Sequence, residues 1–219
     1  MAKTPYVTDQ EMKRLLKITA TSGELPVRNI ALLRAIYGVG LTLNEVATIP
    51  LRAYLTPKGD VMEKSAVTSE IAYNGLERPL YWTSETLVAA VDAYLEYRIA
   101  HRHRVTTRNG AYRGLDPAAP IFLTDEGEAY RMTERTTATG TISYSCDSLS
   151  QLFRKLHAQA GIEGASANSA RRTCAIRMSK QGGDLKSIKT LLGLKTLRAT
   201  RNLIDADPVK LGSIVAGVF

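Results

Sequence analysis

Paired arginines are the residues of this sequence best suited to bind a phosphate. Arg171 and Arg172 stand together in the stretch 167–205, and Asn168 precedes them by one helical turn. A guanidinium presents a planar fork of N–H donors that matches the oxygens of a phosphate. The same stretch ends with three further cations, Lys195, Arg198 and Arg201. These residue types predict a surface that binds phosphates.

The distribution of charge supports the same interpretation. The net charge of the 219-residue chain is +8. Residues 148–219 contain 12 Lys or Arg and 4 Asp or Glu, whereas residues 1–147 contain 17 of each. A localised basic face is typical of nucleic-acid binding, because neutralised phosphates release their condensed counterions. The alternative for the same charges is a solvated helix face.

Composition excludes several other classes of protein. No apolar run is long enough for a membrane span, and the first ten residues lack the apolar core of a secretory signal, so we expect a cytoplasmic protein. Cys146 and Cys174 have neither metal-ligand spacing nor a disulfide framework, and we expect both to be small core residues. His101 and His103 have no third ligand at suitable spacing. We therefore expect no metal and no cofactor.

Helical elements must position the arginines. Residues 167–205 read as a helix, a Gly182-Gly183 stop, a short helix, a turn and a basic segment. Upstream, apolar spacing predicts helices over about 9–18, 27–37, 84–97 and 147–160. Alternation and the turn at Asn74-Gly75 predict strands over 67–73 and 76–82, while residues 125–141 read as an exposed connection. Asp207-Pro208 opens a last apolar helix.

The stretch 167–205 resembles a segment of the tyrosine recombinases, the family of the phage integrases. That family carries the sequence motifs His-x-x-Arg-His-Thr-x-Ala, Gly-Asp-Leu, Leu-Gly-His and Thr-x-x-Tyr. The corresponding segments of this chain are Asn168-x-x-Arg171-Arg172-Thr173-x-Ala175, Gly183-Asp184-Leu185, Leu192-Gly193-Leu194 and Thr200-x-x-Leu203. The resemblance runs in order from Val7 to about Asp205 and covers nearly the whole chain.

The resemblance implies a fold and a domain organisation. The expected fold is that of the tyrosine recombinase catalytic domain, mainly α-helical with a small antiparallel three-stranded sheet. Residues 1–219 would form a single domain, with a core over 1–205 and an apolar C-terminal helix over 206–219. That last helix is predicted either to pack on its own protomer or to be exchanged with a neighbour, which would make a homo-oligomer.

The family's chemistry requires particular residue types, and this sequence differs at most of their positions. In the family a tyrosine attacks a phosphodiester, arginines hold the phosphate, and a lysine and histidines move protons. The resemblance places Arg171 at one arginine position. It places other residue types at the remaining positions, namely Thr42, Asn74, Asn168, Leu194 and Leu203. Thr42 also forms a local capping box with Glu45, and a shifted register would bring Lys64 to the lysine position.

The function that we expect depends on whether another tyrosine replaces the one missing at position 203. The tyrosines considered as substitutes for Leu203 are Tyr112, Tyr130 and Tyr144, all before the arginine stretch. We therefore expect a protein that is not an enzyme and has no catalytic residue. It would bind double-stranded DNA in the nucleoid, as a transcriptional regulator or as an accessory factor at sites of a mobile element. The alternatives are a recombinase with a rearranged active site and a protein-interaction module without DNA binding.

The expected DNA contacts are the cations on the face that the family turns to DNA. They are Arg78, Arg171, Arg172, Lys195, Arg198 and Arg201. For Arg78, and for Arg177 on the same predicted helix as Arg171, the alternative is an ordinary salt bridge to an acid of the neutral part of the chain.

Overall fold

The computed structural model describes residues 6–106, 110–136, 140 and 142–205. Within these ranges the chain forms eight α-helices, four short β-strands and two short 3-10 helices. The α-helices are α1 (Asp9–Thr21), α2 (Pro26–Val39), α3 (Leu43–Thr48), α4 (Glu85–Ala100), α5 (Asp147–Gln159), α6 (Ala167–Lys180), α7 (Leu185–Leu191) and α8 (Leu197–Ile204). The strands are β1 (Lys64–Val67), β2 (Arg78–Tyr81), β3 (Thr133–Thr136) and β4 (Ile142–Ser145). The apolar helix predicted over 206–219 lies outside the described residues.

Local signals explain where the helices begin. Thr8 caps α1, accepting a hydrogen bond from the Glu11 amide at 3.2 Å, while the Glu11 carboxylate accepts one from the Thr8 amide at 2.8 Å. Pro26 opens α2, where its fixed φ suits the first turn. The predicted helices over 9–18, 27–37, 84–97 and 147–160 are confirmed as α1, α2, α4 and α5. None of the helices in the described ranges is long and apolar enough to cross a membrane.

The small sheet differs from the prediction. In place of one three-stranded sheet, the described residues form two two-stranded antiparallel sheets, β1 with β2 and β3 with β4. Before β1 the chain pairs with itself only at an isolated antiparallel bridge between Leu55 and Val61. The tight turn between these two residues, in which the Thr56 amide donates to the Asp60 carbonyl at 2.8 Å, leaves room for one bridge and no longer ladder.

The predicted strand over 67–73 is also wrong, because the strand lies earlier and ends at Val67. From Thr68 the chain turns, and the amides of Ile71 and Ala72 both donate to the Thr68 carbonyl at 3.2 and 2.9 Å. The return strand begins at Arg78 rather than at residue 76. Residues 68–77 are thus a loop, and its side chains are free to reach the helices beside it.

A second hairpin occupies the region read as an exposed connection. Strands β3 and β4 pair from Thr133 with Ser145 to Thr136 with Ile142. Every residue of β3 is exposed, and β4 is exposed except at Ser145, which is half-buried. Because neither face is covered, Ile142 and Tyr144 of β4 are exposed, and β3 (Thr133–Thr136) contains no apolar residue by which a strand could be recognised.

Two apolar clusters hold the helices together. The larger one fills the space between α1, α2, α4 and α5. The smaller one joins α6, α7 and α8 through Cys174, Ala175, Ile188, Leu192 and Ile204. Both cysteines are free and buried, as predicted. Since the smaller cluster fixes the three helices that carry the basic residues, it determines the geometry of the site.

Candidate functional site

A pocket with a cavity volume of about 460 Å³ lies between α3, the start of α6 and α8. Five positions that the sequence analysis singled out line it together: Thr42, Asn168, Arg171, Leu194 and Leu203. These positions come from four separate parts of the chain, namely the start of α3, α6, the turn before α8, and α8. The fold therefore gathers, in one place, most of the positions at which the resemblance predicts chemistry.

Arg171 lines this pocket from a position one turn into α6. Its side chain is 8% exposed, and Nη2 donates to the carbonyl oxygen of Leu192 at 2.6 Å. Nη1 is buried and has no hydrogen-bond partner among the described residues. Burial lowers the pKa of the Arg171 guanidinium, while the nearby Tyr73 and Glu45 side chains raise it. One donor of this buried cation is thus left unsatisfied by the described residues.

Tyr73 is the residue of this site that the sequence analysis missed. The Cζ atom of Arg171 lies 4.4 Å from the centre of the Tyr73 ring, which is a cation–π arrangement. The Tyr73 hydroxyl donates to the carbonyl oxygen of Gly193 at 3.2 Å, and the ring also lines the pocket. The sequence did contain an indication, since Tyr73 directly precedes Asn74, where the resemblance places a catalytic lysine. Tyr73 was not among the tyrosines predicted as substitutes for Leu203.

Asn74 does not line the pocket but supports it. Its Nδ2 donates to the Gly193 carbonyl at 2.7 Å, beside the Tyr73 hydroxyl. Both side chains thereby hold the turn 192–194, which carries Leu194 into the pocket. Lys64, the other candidate for the lysine position, lies in β1 with its ammonium 5.8 Å from the centre of the Tyr81 ring.

Thr42 performs the local role that the sequence allowed. Its hydroxyl accepts from the Glu45 amide at 3.2 Å, and the Glu45 carboxylate accepts from the Thr42 amide at 2.8 Å, which forms a capping box for α3. The residue therefore starts a helix and also lines one wall of the pocket.

Arg78 is buried and paired, so its position differs from that of a surface phosphate contact. It is 2% exposed, its Nη2 donates to Glu45 Oε2 at 2.8 Å, and its Nη1 donates to the Leu191 carbonyl at 2.7 Å. Arg177 pairs with Asp9 at 2.7 Å. For both arginines the salt-bridge alternative describes the contacts in the structure.

The C-terminus of α7 explains why two arginines are buried here. The last carbonyls of a helix lack intrahelical partners and carry the negative end of its dipole. Arg78 binds the Leu191 carbonyl and Arg171 binds the Leu192 carbonyl. The guanidinium groups therefore satisfy the end of α7 and fix its position against α6.

Exposed cations border the pocket on α8 and the turn before it. Arg198 and Arg201 are exposed on α8, and Lys195 is exposed in the preceding turn. Ala199 and Leu203 of the same helix face the pocket. Arg172, by contrast, is only 6% exposed. The accessible part of the predicted basic face is thus continuous with the wall of the pocket.

The three tyrosines that the sequence analysis considered as substitutes for Leu203 are Tyr112, Tyr130 and Tyr144. None of them lines the pocket. Tyr130 is packed in the larger cluster, and burial raises its pKa. The hydroxyl of Tyr144 donates to Glu134 across the β3–β4 ribbon at 3.2 Å. The backbone amide of Tyr112 donates to Pro57 at 3.1 Å. Within the described part of the chain, no group of three or more His, Cys, Asp or Glu side chains is placed to hold a metal ion.

Comparison with solved structures identifies the fold. The sequence matches no protein-family model and no curated protein. A crystal structure of XerA recombinase superimposes with a TM-score of 0.69 at 18% identity, covering 99% of this chain and 66% of that chain. XerH site-specific recombinase, in a post-cleavage complex with its palindromic difH substrate, gives 0.65 at 15% identity, covering 97% and 53%. The Tn1549 transposon integrase with transposon right end DNA gives 0.59 at 13% identity, covering 98% and 67%.

These comparisons correct one expectation and confirm another. The chain spans between about half and two thirds of each of these proteins. The expectation that it is not an enzyme is overturned, because the proteins that share its fold are site-specific recombinases and an integrase. Position 203 is a leucine, but the pocket still contains a tyrosine, because Tyr73 lies against Arg171. The chain has the fold of the tyrosine recombinases and integrases, as the sequence resemblance predicted.

Proposed function

We propose that this chain binds duplex DNA at recombination sites of a mobile element, where it acts as an accessory factor or as a transcriptional regulator. The observation that carries the proposal is the position of α8. One face of this helix lines the Arg171 pocket, and another exposes Arg198 and Arg201. A DNA backbone lying along α8 would meet these two cations and bring a phosphate to the mouth of the pocket.

Electrostatics and the comparisons support the same partner. The excess of positive charge lies in residues 148–219, which include all of α6, α7 and α8. The buried Nη1 of Arg171 offers a donor that a phosphate oxygen would satisfy. Two of the proteins that share the fold, XerH and the Tn1549 integrase, are described in complex with DNA.

Salt-dependent binding to a duplex tests the proposal. Fluorescence anisotropy with a labelled mixed-sequence duplex would be measured between about 50 and 200 mM salt, where phosphate-dominated affinities fall steeply. Alanine at Lys195, Arg198 or Arg201 is expected to reduce the slope of log K against log salt by about one for each cation removed. Lys17→Ala, at an exposed lysine of α1, is the matched control and is expected to leave the slope unchanged. An affinity that does not respond to salt, or equal slopes for the α8 variants and the control, would refute the proposal.

The two roles differ in where the protein is bound along DNA. Sequencing of the genomic fragments retained by the protein separates them. Fragments that cluster at the ends of a mobile element favour the accessory role, whereas fragments that cluster at promoters favour the regulator. Both roles require the same contacts to the backbone, so the α8 variants are expected to lose both kinds of fragment equally.

A second candidate function is DNA strand exchange with a rearranged active site, and Tyr73 favours it. Its ring lies against a guanidinium with an open donor, in a pocket large enough to admit a phosphodiester. In this reaction the Tyr73 oxygen would form a bond to phosphorus as the bond to the bridging deoxyribose oxygen breaks. The phenol proton would pass to solvent, and the leaving oxygen would take a proton from solvent. Arg171 would hold the charge that develops on the non-bridging oxygens.

Nicked suicide duplexes distinguish this candidate from simple binding. A protein–DNA adduct that survives denaturation, and is lost in Tyr73→Phe but kept in Tyr130→Phe, would establish strand cleavage by Tyr73. An adduct lost only in Tyr130→Phe or Tyr144→Phe would assign the nucleophile to another residue. The absence of any adduct would leave the binding function as the better account.

Association between copies is a further part of the proposed function. We propose residues 1–205 as the core and the apolar segment 206–219 as the part that links protomers on DNA. Removing residues 209–219 tests this. Loss of association in analytical ultracentrifugation with DNA binding intact is the expected result. Absence of DNA binding in both the full and the shortened chain would instead favour a protein-interaction module.

A further inference from the structure

The Arg171 pocket is built from more than the groups that a DNA phosphate would use. Its volume of about 460 Å³ lies within the range of pockets that hold small organic ligands. Much of its wall is apolar, formed by Leu43, Leu194, Leu203, Ala167 and Ala199. A bare phosphate gains nothing from such a wall, because only apolar surface gains free energy when it leaves water there.

Most of the polar side chains in the pocket already bind other parts of the protein. The Asn44 amide donates to the Tyr144 carbonyl at 2.6 Å and accepts from the Cys146 amide at 3.1 Å. The Ser150 hydroxyl donates to the Cys146 carbonyl at 2.9 Å. These groups form a rim whose hydrogen bonds are used within the fold, so they do not call for a ligand rich in polar groups.

The exceptions are Asn168, which is exposed, and the guanidinium of Arg171. Arg171 is more than nine-tenths buried, its Nη2 is bound to Leu192, and its Nη1 has no partner among the described residues. The Tyr73 ring covers the flat face of the guanidinium, so an approaching anion must come to its edge. A buried cationic donor of this kind selects a carboxylate or a phosphate.

We propose that the pocket binds a small organic anion, a carboxylate or phosphate group carried on an apolar body about the size of a benzene ring. The anionic group would bind Nη1 of Arg171, and the apolar body would lie against Leu194 and Leu203. If the chain binds DNA as proposed above, such an anion competes with a DNA phosphate for the same donor. The ligand would then act as an effector that releases the protein from DNA.

Titration of the full chain without DNA tests ligand binding alone. Four probes separate the chemistry: phenyl phosphate, benzoate, inorganic phosphate and benzyl alcohol. Binding would be measured by calorimetry and by NMR of leucine methyl groups. We expect phenyl phosphate or benzoate to shift the methyl signals of Leu194 and Leu203 and to bind roughly ten-fold or more tightly than inorganic phosphate and benzyl alcohol. The stronger of the two identifies the anionic group.

Matched leucine variants locate the site. Leu203→Gln is expected to weaken binding of the better probe by roughly ten-fold, because one apolar wall is removed. Leu197→Gln, at a leucine of the same helix that is 50% exposed, is expected to bind as the wild type does. Inorganic phosphate that binds as well as the aromatic anions, or equal affinities of the two variants, would overturn the proposal. If Leu203→Gln fails to fold, the proposal is tested by two measurements on the wild type. These are the methyl shifts of Leu194 and Leu203 and the ratio of the affinities for the aromatic anions and for inorganic phosphate.

Competition with DNA then tests the effector role separately. The better probe is expected to release a labelled duplex at concentrations near its own Kd. If the protein binds the probe but not DNA, the proposed DNA-binding function is refuted and the proposed anion site is retained. Simultaneous binding of both ligands without mutual effect would refute the effector role.

Discussion

Arg78 and Glu45 form an ion pair inside the protein. Nη2 of Arg78 lies 2.8 Å from Oε2 of Glu45, and the two side chains are 1% and 0% exposed. The same carboxylate accepts hydrogen bonds from the amides of Thr42 and Tyr73 at 2.8 and 3.4 Å. The pair therefore joins the start of α3, the loop 68–77 and, through the Leu191 carbonyl, the end of α7.

Breaking this pair is expected to be strongly destabilising. Arg78→Met leaves the Glu45 carboxylate buried without its cation, and such a change costs about 3 to 5 kcal/mol of unfolding free energy. Urea denaturation measures the loss. The matched control is Arg177→Met, whose partner Asp9 is 86% exposed, and we expect that change to cost about 1 kcal/mol or less. Equal losses in the two variants would contradict the assigned role of Arg78.

A side chain at Gly193 is expected to be destabilising, for two separate reasons. Its φ is +61°, in the left-handed region, and a Cβ atom there would lie 2.6 Å from Cδ of Arg78. Gly161 has a similar φ of +64° but nothing within 4 Å of a Cβ, so Gly161→Ala costs only the backbone strain, about 1 to 2 kcal/mol. Gly193→Ala is expected to cost about 1 to 3 kcal/mol more than Gly161→Ala, because the Arg78 side chain must move. Thermal unfolding of both variants checks the difference.

Much of the fold follows from local features of the sequence. The capping boxes Thr8–Glu11 and Thr42–Glu45 were both readable, since they depend on residues three apart. The resemblance to the family's motifs also indicated positions, distant in sequence, that lie together in the fold. Four of them, Thr42, Asn168, Leu194 and Leu203, line one pocket with Arg171. Local chemistry and a resemblance to known proteins were sufficient for these features.

Other features depend on contacts that no local pattern contains. A charged residue such as Arg78 is normally exposed, and only the packing of α3 against β2 shows that Glu45 neutralises it. The contact of Tyr73 with Arg171 requires residues 68–77 to form a loop instead of the predicted strand. The β3–β4 ribbon buries no face, and β3 (Thr133–Thr136) contains no apolar residue from which a strand could be predicted.

Asn44 is expected to hold the β3–β4 ribbon beside the pocket. Its amide makes two hydrogen bonds to the chain at the base of the ribbon, to Tyr144 and from Cys146. Asn44→Ala should cost about 1 to 3 kcal/mol, since a typical hydrogen bond contributes about 0.5 to 1.5 kcal/mol. The Cys146 amide is expected to exchange its hydrogen faster in this variant. Asn202→Ala, at an exposed position of α8, is the control, and an unchanged exchange rate at Cys146 would refute the role of Asn44.

His157 is expected to make stability fall in mild acid. Its Nδ1 lies 2.7 Å from the Phe153 carbonyl, which can only accept, so Nδ1 carries the proton and Nε2 accepts from the Tyr37 hydroxyl at 2.7 Å. Burial lowers the pKa of this imidazole. The unfolded state, with a histidine pKa of about 6.5, therefore takes up a proton first as the pH falls. The stabilisation is complete above that pH and is lost between it and the lower pKa of the folded state.

Urea denaturation between about pH 7 and pH 5 measures this dependence, which is at most about 1.4 kcal/mol per pH unit for one proton. His157→Gln cannot take up the proton and is expected to lose the corresponding part of the slope. Its stability at neutral pH should also be lower, because the hydrogen bond from Tyr37 is disturbed. The other two histidines, His101 and His103, are present in both proteins, so the difference between the two slopes belongs to His157. Equal slopes in the wild type and His157→Gln would show that His157 does not control the acid response.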